Sequence, residues 1–290
     1  MKYILYSARP KQWVKNLFVF LPLVFGKKLF VYPENAGTAA AFLLFTAASA
    51  AAYLINDIMD QEKDRTHPLK RLRPIASGKL TKRTAALAAS LSGTASVALS
   101  FLLDMRLGLI ISAYLVFNFV YTRFLKDVVI IDIFCIGAFF LLRLLAGSVA
   151  AKVSLSHWII LMTVLLALFL GFNKRRQELR LLKKNAASHR PVLTMYSAYF
   201  IDQIIAVVTS SIVIAYALYA QDARTVSEFG TDRLIISVPF VYYGIFRYLY
   251  IIHRLRKEGD PTRILLSDRP MQINILLWIS VCIGIIYFGG

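Results

Sequence analysis

Acidic side chains are scarce in this sequence, which has 16 Asp and Glu against 34 Lys and Arg. With 58% hydrophobic and only 17% charged residues, the chain is also too apolar for a soluble globular protein. Apolar runs of about twenty residues recur from end to end, which predicts an all-α, polytopic membrane protein. Helices satisfy their own backbone hydrogen bonds within each span, so they are the expected secondary structure.

Cysteine and histidine are also sparse, and their placement excludes the usual metal sites built from them. Cys135 and Cys282 lie in separate apolar runs, so neither a metal spacing nor a disulfide is expected. The four histidines show no ligand spacing. Residues 1–15 are polar and basic, which predicts no cleavable signal peptide. Because no low-complexity linker divides the chain, a single domain over residues 1–290 is expected.

The excess of positive charge, a net +18, is distributed unevenly along the chain. Nine spans are expected, over residues 14–30, 37–56, 84–103, 107–124, 128–151, 156–173, 198–219, 234–252 and 271–288. When the connecting loops are placed on alternate sides of a bilayer, 27 of the 34 Lys and Arg fall on one side and six on the other. This asymmetry predicts orientation in a bacterial inner membrane and binding of anionic substrates at the cytoplasmic face, with no nucleic acid as partner.

Three aspartates and an asparagine are concentrated in one stretch, directly after the second apolar run. On a helix their side chains fall within an arc of about 100°, and they are Asn56, Asp57, Asp60 and Asp64. Carboxylates this close together repel unless a cation lies among them, and oxygen ligands suit Mg²⁺. The basic run that follows, up to Arg73, is suited to phosphate. The stretch predicts a metal–diphosphate site at a membrane surface; the alternative is a solvated, charged helix end.

A second cluster, at the end of the sixth span, is basic. Lys174 and Arg175 are suited to phosphate, Lys as a point charge and Arg through two parallel hydrogen bonds. Glu178 lies one helical turn further on, where it could hold one of these cations or contact a metal. The alternative is a flank of charges that only orients the span, and this interpretation is preferred for the neighbours Arg176, Arg180, Lys183 and Lys184.

Six further residues are candidates for substrate binding because they lie at the cytoplasmic ends of spans or within them, namely Lys15, Asn16, Tyr121, Lys126, Asp132 and Arg247. Asp132 qualifies because an ionisable group inside a span is costly and is a functional hypothesis by default. For Tyr121 the alternative is an anchor in the lipid headgroup layer. Arg143 lies deeper in the span of Asp132, and a structural role there is as well supported as a catalytic one. Asp268, followed by Pro270, is expected to cap the last helix.

The aspartate motif, placed on the second of nine helices, resembles that of the UbiA superfamily of intramembrane prenyltransferases. Most members carry a second acidic motif on the sixth helix, where this chain has Lys174, Arg175 and Glu178 instead. That departure, together with Arg9-Pro10-Lys11-Gln12-Trp13 and Asp268-Arg269-Pro270, resembles the branch that transfers a phosphoribosyl group to a polyprenyl phosphate. A resemblance over essentially the whole chain implies one UbiA-like helical bundle.

The resemblance implies phosphoribosyl diphosphate as the donor, polyprenyl (decaprenyl) phosphate as the acceptor and Mg²⁺ as the cofactor. Asn56 and the three aspartates would hold the metal. Arg73, Lys174 and Arg175 would then bind donor phosphates, and Lys15 or Lys126 the lipid phosphate. Two alternatives stay open: a prenyltransferase that alkylates an aromatic acceptor with a prenyl diphosphate, and a transporter of anionic solutes. A homo-oligomer is also possible.

Overall fold

The computed structural model describes residues 2–67, 70–182, 195–254 and 261–289, and all regular secondary structure in these ranges is helical. The all-α prediction is therefore confirmed. The α-helices are α1 Lys2–Ser7, α2 Leu21–Phe25, α3 Glu34–Met59, α4 Gln61–Thr66, α5 Lys82–Leu103, α6 Met105–Val120, α7 Ile131–Ala151, α8 His157–Leu182, α9 Ala198–Gln221, α10 Ala223–Phe229, α11 Val238–His253, α12 Pro261–Ser267 and α13 Arg269–Phe288. Shorter segments are the 3₁₀ helices Pro10–Phe20, Lys70–Leu72 and Arg233–Ser237 and the π-helix Tyr121–Leu125.

Eight helices in the described ranges are long and apolar enough to cross a membrane. They are α3, α5, α6 with the π-helix, α7, α8, α9, α11 with its preceding 3₁₀ turn, and α13, and they match the second to ninth expected spans. The first expected span, 14–30, differs: it is the 3₁₀ helix Pro10–Phe20 followed by the short α2. A 3₁₀ helix rises about 2.0 Å per residue against 1.5 Å for an α-helix, so this segment still covers about 30 Å. That length matches the hydrocarbon core of a bilayer.

The contacts divide the chain into two compact units, the first with α1–α7 and the second with α8–α13. In the first unit α3 packs on α5, α6, α7 and the 3₁₀ helix. Its buried face is rich in alanine, including Ala41, Ala48 and Ala52, and small side chains let membrane helices approach closely. This packing fixes the end of α3, where the aspartate motif begins.

The 3₁₀ helix is packed tightly against α7 at one glycine. A Cβ atom added to Gly147 would lie 2.0 Å from the backbone oxygen of Val19. Only the absence of a side chain permits this approach. The first expected span is thereby packed onto the fifth.

Candidate active site

The aspartate motif lies at a break in helical structure rather than on one straight helix. Helix α3 ends at Met59, and α4 begins at Gln61. Asp60 stands between them with φ −93° and ψ 7°. The carboxylates of Asp57 and Asp64, on either side of it, both contact one guanidinium nitrogen. The carboxylates of Asp57 and Asp64 share one arginine, while that of Asp60 has a different partner, Lys126.

A basic side chain is bound to each of the three aspartates. Arg73 Nη1 donates to Asp57 Oδ1 at 3.1 Å and to Asp64 Oδ2 at 2.6 Å. Lys126 Nζ donates to Asp60 Oδ1. These pairings bring the aspartate motif together with two residues that the sequence had nominated for phosphate binding.

Arg9 is the site residue that sequence reasoning missed. Its Nη2 donates to the same Asp57 Oδ1 that Arg73 contacts, and its guanidinium lies 4.9 Å from the centroid of the Tyr53 ring. Arg9 precedes the 3₁₀ helix with a φ of 53°, in the left-handed region. Its place in the Arg9-Pro10 motif was a signal, but no spacing rule relates it to an aspartate 48 residues away.

The carboxylates of Asp57 and Asp64 are buried, whereas the arginines that contact them are partly exposed. The side chains of Asp57 and Asp64 are 2% and 4% exposed, and those of Arg9 and Arg73 are 27% and 26% exposed. Burial raises the pKa of Asp64, and the charges of Arg73 and Lys70 oppose that rise. Additional positive charge at this position would favour the ionised carboxylate.

The residues of the cluster have the chemistry of a divalent-metal site, although their carboxylates are engaged with cations. Within the described ranges no three Asp, Glu, His or Cys side chains are gathered closely enough to hold an ion. One atom supports metal binding: Asn56 Oδ1 is buried and has no hydrogen-bond partner in the described part of the chain. An unpartnered buried amide oxygen is costly, and beside carboxylates it is a suitable ligand for a hard cation.

Lys126 follows the π-helix, and a strained backbone separates it from α7. Ile130 has a φ of 68°, an outlier for a β-branched residue. Strain of this kind persists where the surrounding structure holds it, and it clusters at functional sites.

Asp132, in the first turn of α7, is fully buried. The Tyr121 ring packs edge-on against Phe139, with 5.5 Å between ring centroids.

Asn16 lies in a buried hydrogen-bond network rather than at an open surface. Its amide nitrogen donates to Thr46 Oγ1 at 3.0 Å and to Ser49 Oγ at 3.1 Å. Its oxygen accepts from Arg143 Nε at 2.8 Å. To bind substrate, Asn16 would have to give up these partners. Its neighbour Lys15 is half-buried, and the substrate-binding assignments of both residues stay predictions.

In the second unit, the basic cluster contains an ion pair between a buried arginine and a partly exposed glutamate. Arg175 is 1% exposed, and its Nη1 donates to Glu178 Oε2 at 2.6 Å. Lys174, its neighbour, is half-buried. Arg176 instead joins α8 to α9 through two hydrogen bonds to Asp202, at 2.8 and 3.1 Å. The distinction drawn from sequence, that Arg175 binds substrate and Arg176 does not, stays a prediction.

Arg247 is held by Asp268 through two hydrogen bonds, at 3.2 and 3.1 Å. The same carboxylate accepts from the backbone N–H of Met271 at 3.0 Å, which confirms Asp268 as the N-cap of α13. Arg247 therefore has a structural partner, and its role in substrate binding stays a prediction.

Comparison with known proteins gives the class to which this arrangement belongs. The model of the UbiA prenyltransferase family matches residues 18–276. The chain belongs to this family. Together with its eight candidate spans, this membership makes it a multi-pass membrane protein.

Among curated proteins, the chain is similar to decaprenyl-phosphate phosphoribosyltransferases. It is 33% identical to the one from Mycolicibacterium smegmatis, over 98% of this chain and 92% of that protein. It is 34% identical to the one from Corynebacterium glutamicum, over 97% of this chain and 86% of that protein. These relatives belong to the branch whose resemblance was read from the motifs.

Solved structures share the fold at low sequence identity. A UbiA homolog from Archaeoglobus fulgidus, bound to GPP and Mg²⁺, aligns with a TM-score of 0.74 at 20% identity and covers 98% of this chain and 99% of its own. The apo structure of a UbiA homolog from Aeropyrum pernix aligns with a TM-score of 0.68 at 15% identity, covering 94% of this chain and 98% of its own. The UbiA-like helical fold is thus confirmed.

Proposed function

We propose that this protein transfers the 5-phosphoribosyl group of phosphoribosyl diphosphate to a polyprenyl phosphate in the membrane, with loss of diphosphate. The observation that carries the proposal is full-length similarity to decaprenyl-phosphate phosphoribosyltransferases. The geometry of the first unit supports it, because buried aspartates and covering cations suit a metal-bound diphosphate.

In this proposal Asn56, Asp57, Asp60 and Asp64 would hold Mg²⁺, and the bound ion would neutralise charge on the departing diphosphate. Arg73 and Lys126 bind donor phosphates and orient the ribose C1 atom. An oxygen of the lipid phosphate attacks C1 from the face opposite the diphosphate, so one C–O bond forms as the other breaks and the anomeric centre inverts. The attacking oxygen is already anionic, so the step requires no strong general base.

The bond-breaking step should resemble other glycosyl transfers, with an oxocarbenium-like transition state. The chain's contribution is then positioning and charge neutralisation. Lys15 is proposed to bind the lipid phosphate. Lys174 and Arg175 are proposed to bind donor phosphate, with Glu178 holding one of these cations or contacting a metal. Tyr121, Asp132 and Arg247 are proposed to support substrate binding.

The direct test is incubation of the purified protein with labelled phosphoribosyl diphosphate, Mg²⁺ and a polyprenyl phosphate, followed by extraction of the lipid. Label in the lipid fraction, dependent on both the metal and the lipid phosphate, is the expected result. Labelled prenyl diphosphate with an aromatic acceptor is the parallel reaction. Product from that mixture alone would favour a prenyltransferase, and no turnover in either mixture would favour a transporter.

We further propose that the site faces the cytoplasm of a bacterial inner membrane, on the basis of the charge asymmetry of the loops. Ser77 and Ser227 are both exposed and lie on loops expected on opposite sides. The native cysteines are buried and free, so they contribute little background in a labelling experiment. Ser77→Cys should react only from the cytoplasmic side and Ser227→Cys only from outside, and labelling of both from one side would contradict this orientation.

A further inference from the structure

The aspartate cluster is electrically balanced within the described part of the chain. Asp57, Asp60 and Asp64 contribute three negative charges, and the cations bound to them contribute three positive charges. Each cation comes from a different element: Arg73 from the loop after the 3₁₀ turn Lys70–Leu72, Lys126 from the end of the π-helix, and Arg9 from the residue before the first 3₁₀ helix.

This balance opposes binding of a metal ion by itself. A divalent cation entering the cluster would meet carboxylates already neutralised by guanidinium and ammonium groups. Both guanidinium contacts to Asp57 fall on the same oxygen, Oδ1. A metal ion bound at this oxygen would compete with Arg9 and Arg73, and cations left without anions near a metal would repel it.

The geometry of the cations makes such displacement feasible. The aspartates are fixed at the end of α3 and in α4, and two of them are almost fully buried. The cations are about a quarter exposed for the two arginines and 16% exposed for Lys126. Their long side chains can therefore turn outward without disturbing the helix that carries the acids.

We propose that Arg9, Arg73 and Lys126 exchange their aspartates for phosphate oxygens of the donor, so that metal and donor bind as a pair and Arg9 becomes a donor-binding residue. This inference rests on the proposed function. Phosphoribosyl diphosphate carries three phosphoryl groups and stays anionic with one divalent cation bound. Its phosphates give the three cations new partners while Asn56 and the aspartates turn to the metal. Arginine and lysine bind phosphate at least as well as carboxylate.

The exchange predicts a reciprocal coupling between the two ligands, since each relieves the cost of binding the other. Metal alone should bind weakly to the wild-type protein, and the donor should strengthen it by about tenfold or more, within the usual range of such couplings. Removing Arg9, Arg73 or Lys126 should raise the affinity for the metal by a similar factor without any donor. The aspartates then lack one neutralising positive charge.

The experiment uses the full chain in detergent and Mn²⁺ as the probe, with the free ion followed by electron paramagnetic resonance. Titrations of Arg73→Gln, Arg9→Gln and Lys126→Gln with Mn²⁺ alone should give dissociation constants about tenfold below that of the wild type.

Arg65→Gln and Lys63→Gln are the matched controls. They remove the same charges from the same region, but their partners are Glu62 and Asp127, so Mn²⁺ binding should not change. Asp57→Asn removes a proposed metal ligand, so the Mn²⁺ binding that this variant loses is the binding at the aspartate cluster.

Equal Mn²⁺ affinity in the wild type and in all three Gln variants would overturn the exchange. So would a wild type that binds Mn²⁺ as tightly without phosphoribosyl diphosphate as with it, after subtraction of a protein-free titration of donor with Mn²⁺. If Arg73→Gln is not monodisperse, Arg9→Gln and Lys126→Gln decide the question.

Failure of the exchange is distinguishable from failure of the proposed function. A wild-type protein that forms labelled lipid but lacks the coupling keeps the function and loses the exchange. If Mn²⁺ and phosphoribosyl diphosphate together form no complex with the wild type, and no labelled lipid appears, both are lost.

Discussion

Arg73 and Arg143 lie in the same unit, and their surroundings differ in every respect that matters for function. Arg73 is partly exposed and contacts two buried carboxylates. Arg143 is 3% exposed, and within the described ranges all of its hydrogen bonds go to neutral groups: Asn16, the backbone oxygen of Phe139 and Tyr114. Three rings, those of Phe45, Tyr114 and Phe140, lie within 5.8 Å of its guanidinium.

The difference shows how one residue type serves two purposes in a membrane. Neutral hydrogen-bond acceptors and aromatic faces offset the cost of burying a guanidinium away from water. A guanidinium that is partly exposed and held by carboxylates, by contrast, is one that phosphate can compete for. Arg143 therefore joins the 3₁₀ helix, α6 and α7. The sequence left a structural and a catalytic role open for this residue, and these contacts favour the structural role.

The largest effect is expected from Asp57→Asn, which keeps the side-chain size and removes the charge that Arg9 and Arg73 share. Loss of a group that stabilises charge at a reacting centre typically costs 10²–10³ in rate, so turnover should fall by about a hundredfold or more. The measurement is initial rate with saturating donor, lipid phosphate and Mg²⁺. Asp104→Asn is the control, because it removes the charge of an exposed N-cap of α6 and keeps its side-chain oxygen as an acceptor. Full activity in Asp57→Asn would show that the aspartate cluster, like the Arg143 network, has a structural role and takes no part in turnover.

Arg175 sharpens the comparison, because it is as buried as Arg143 and yet paired with a carboxylate, like Arg73. If it binds the donor, Arg175→Ala should weaken donor binding or turnover about ten- to a hundredfold, the equivalent of about 1.5–3 kcal/mol for one charge-assisted contact. Arg175→Lys should also be impaired, since the charge stays but the planar fork is lost. Donor kinetics at saturating lipid phosphate give the answer. Unchanged donor kinetics in both variants would show that Arg175, like Arg143, has a structural role and does not bind the donor.

Arg143→Met should lower stability rather than donor affinity. The change leaves Asn16 Oδ1 without its donor inside the membrane, at a typical cost of about 1–3 kcal/mol. The expected result is a lower unfolding temperature in detergent, with an unchanged KM for phosphoribosyl diphosphate in the folded fraction. Tyr114→Phe removes only one weaker contact, 3.3 Å long, and should cost less. A raised donor KM with normal stability would assign Arg143 to the site.

The smallest effect is expected at Arg176, whose partner Asp202 is 39% exposed. Exposed ion pairs typically contribute about 0–1 kcal/mol. Arg176→Ala should leave donor kinetics unchanged, and a double-mutant cycle with Asp202→Ala should give a coupling within that range. A donor defect in Arg176→Ala without one in Arg175→Ala would reverse the assignment of this face.

The one-dimensional pattern of the chain carried much of the candidate site, for identifiable reasons. The aspartates are close in sequence, so helical geometry alone predicts that they gather. Arg73 follows them within one short loop. Lys126 and Arg9 lie 66 and 48 residues from their aspartates, and no local rule relates such distances. Lys126 was nominated because it stands at a membrane rim, whereas Arg9 entered only as part of a resemblance.

By itself the sequence determined the helical class and the membrane location, and it predicted the residues of the candidate site, because apolar periodicity, span length and charged motifs are local properties. The tertiary structure alone decided which cation covers which aspartate and that Asn16 serves Arg143. It also decided that the first span begins as a 3₁₀ helix packed on Gly147. These features depend on side chains and backbones that meet only after α3, α6 and α7 have packed, so the physical reason lies in contacts between segments far apart in the chain.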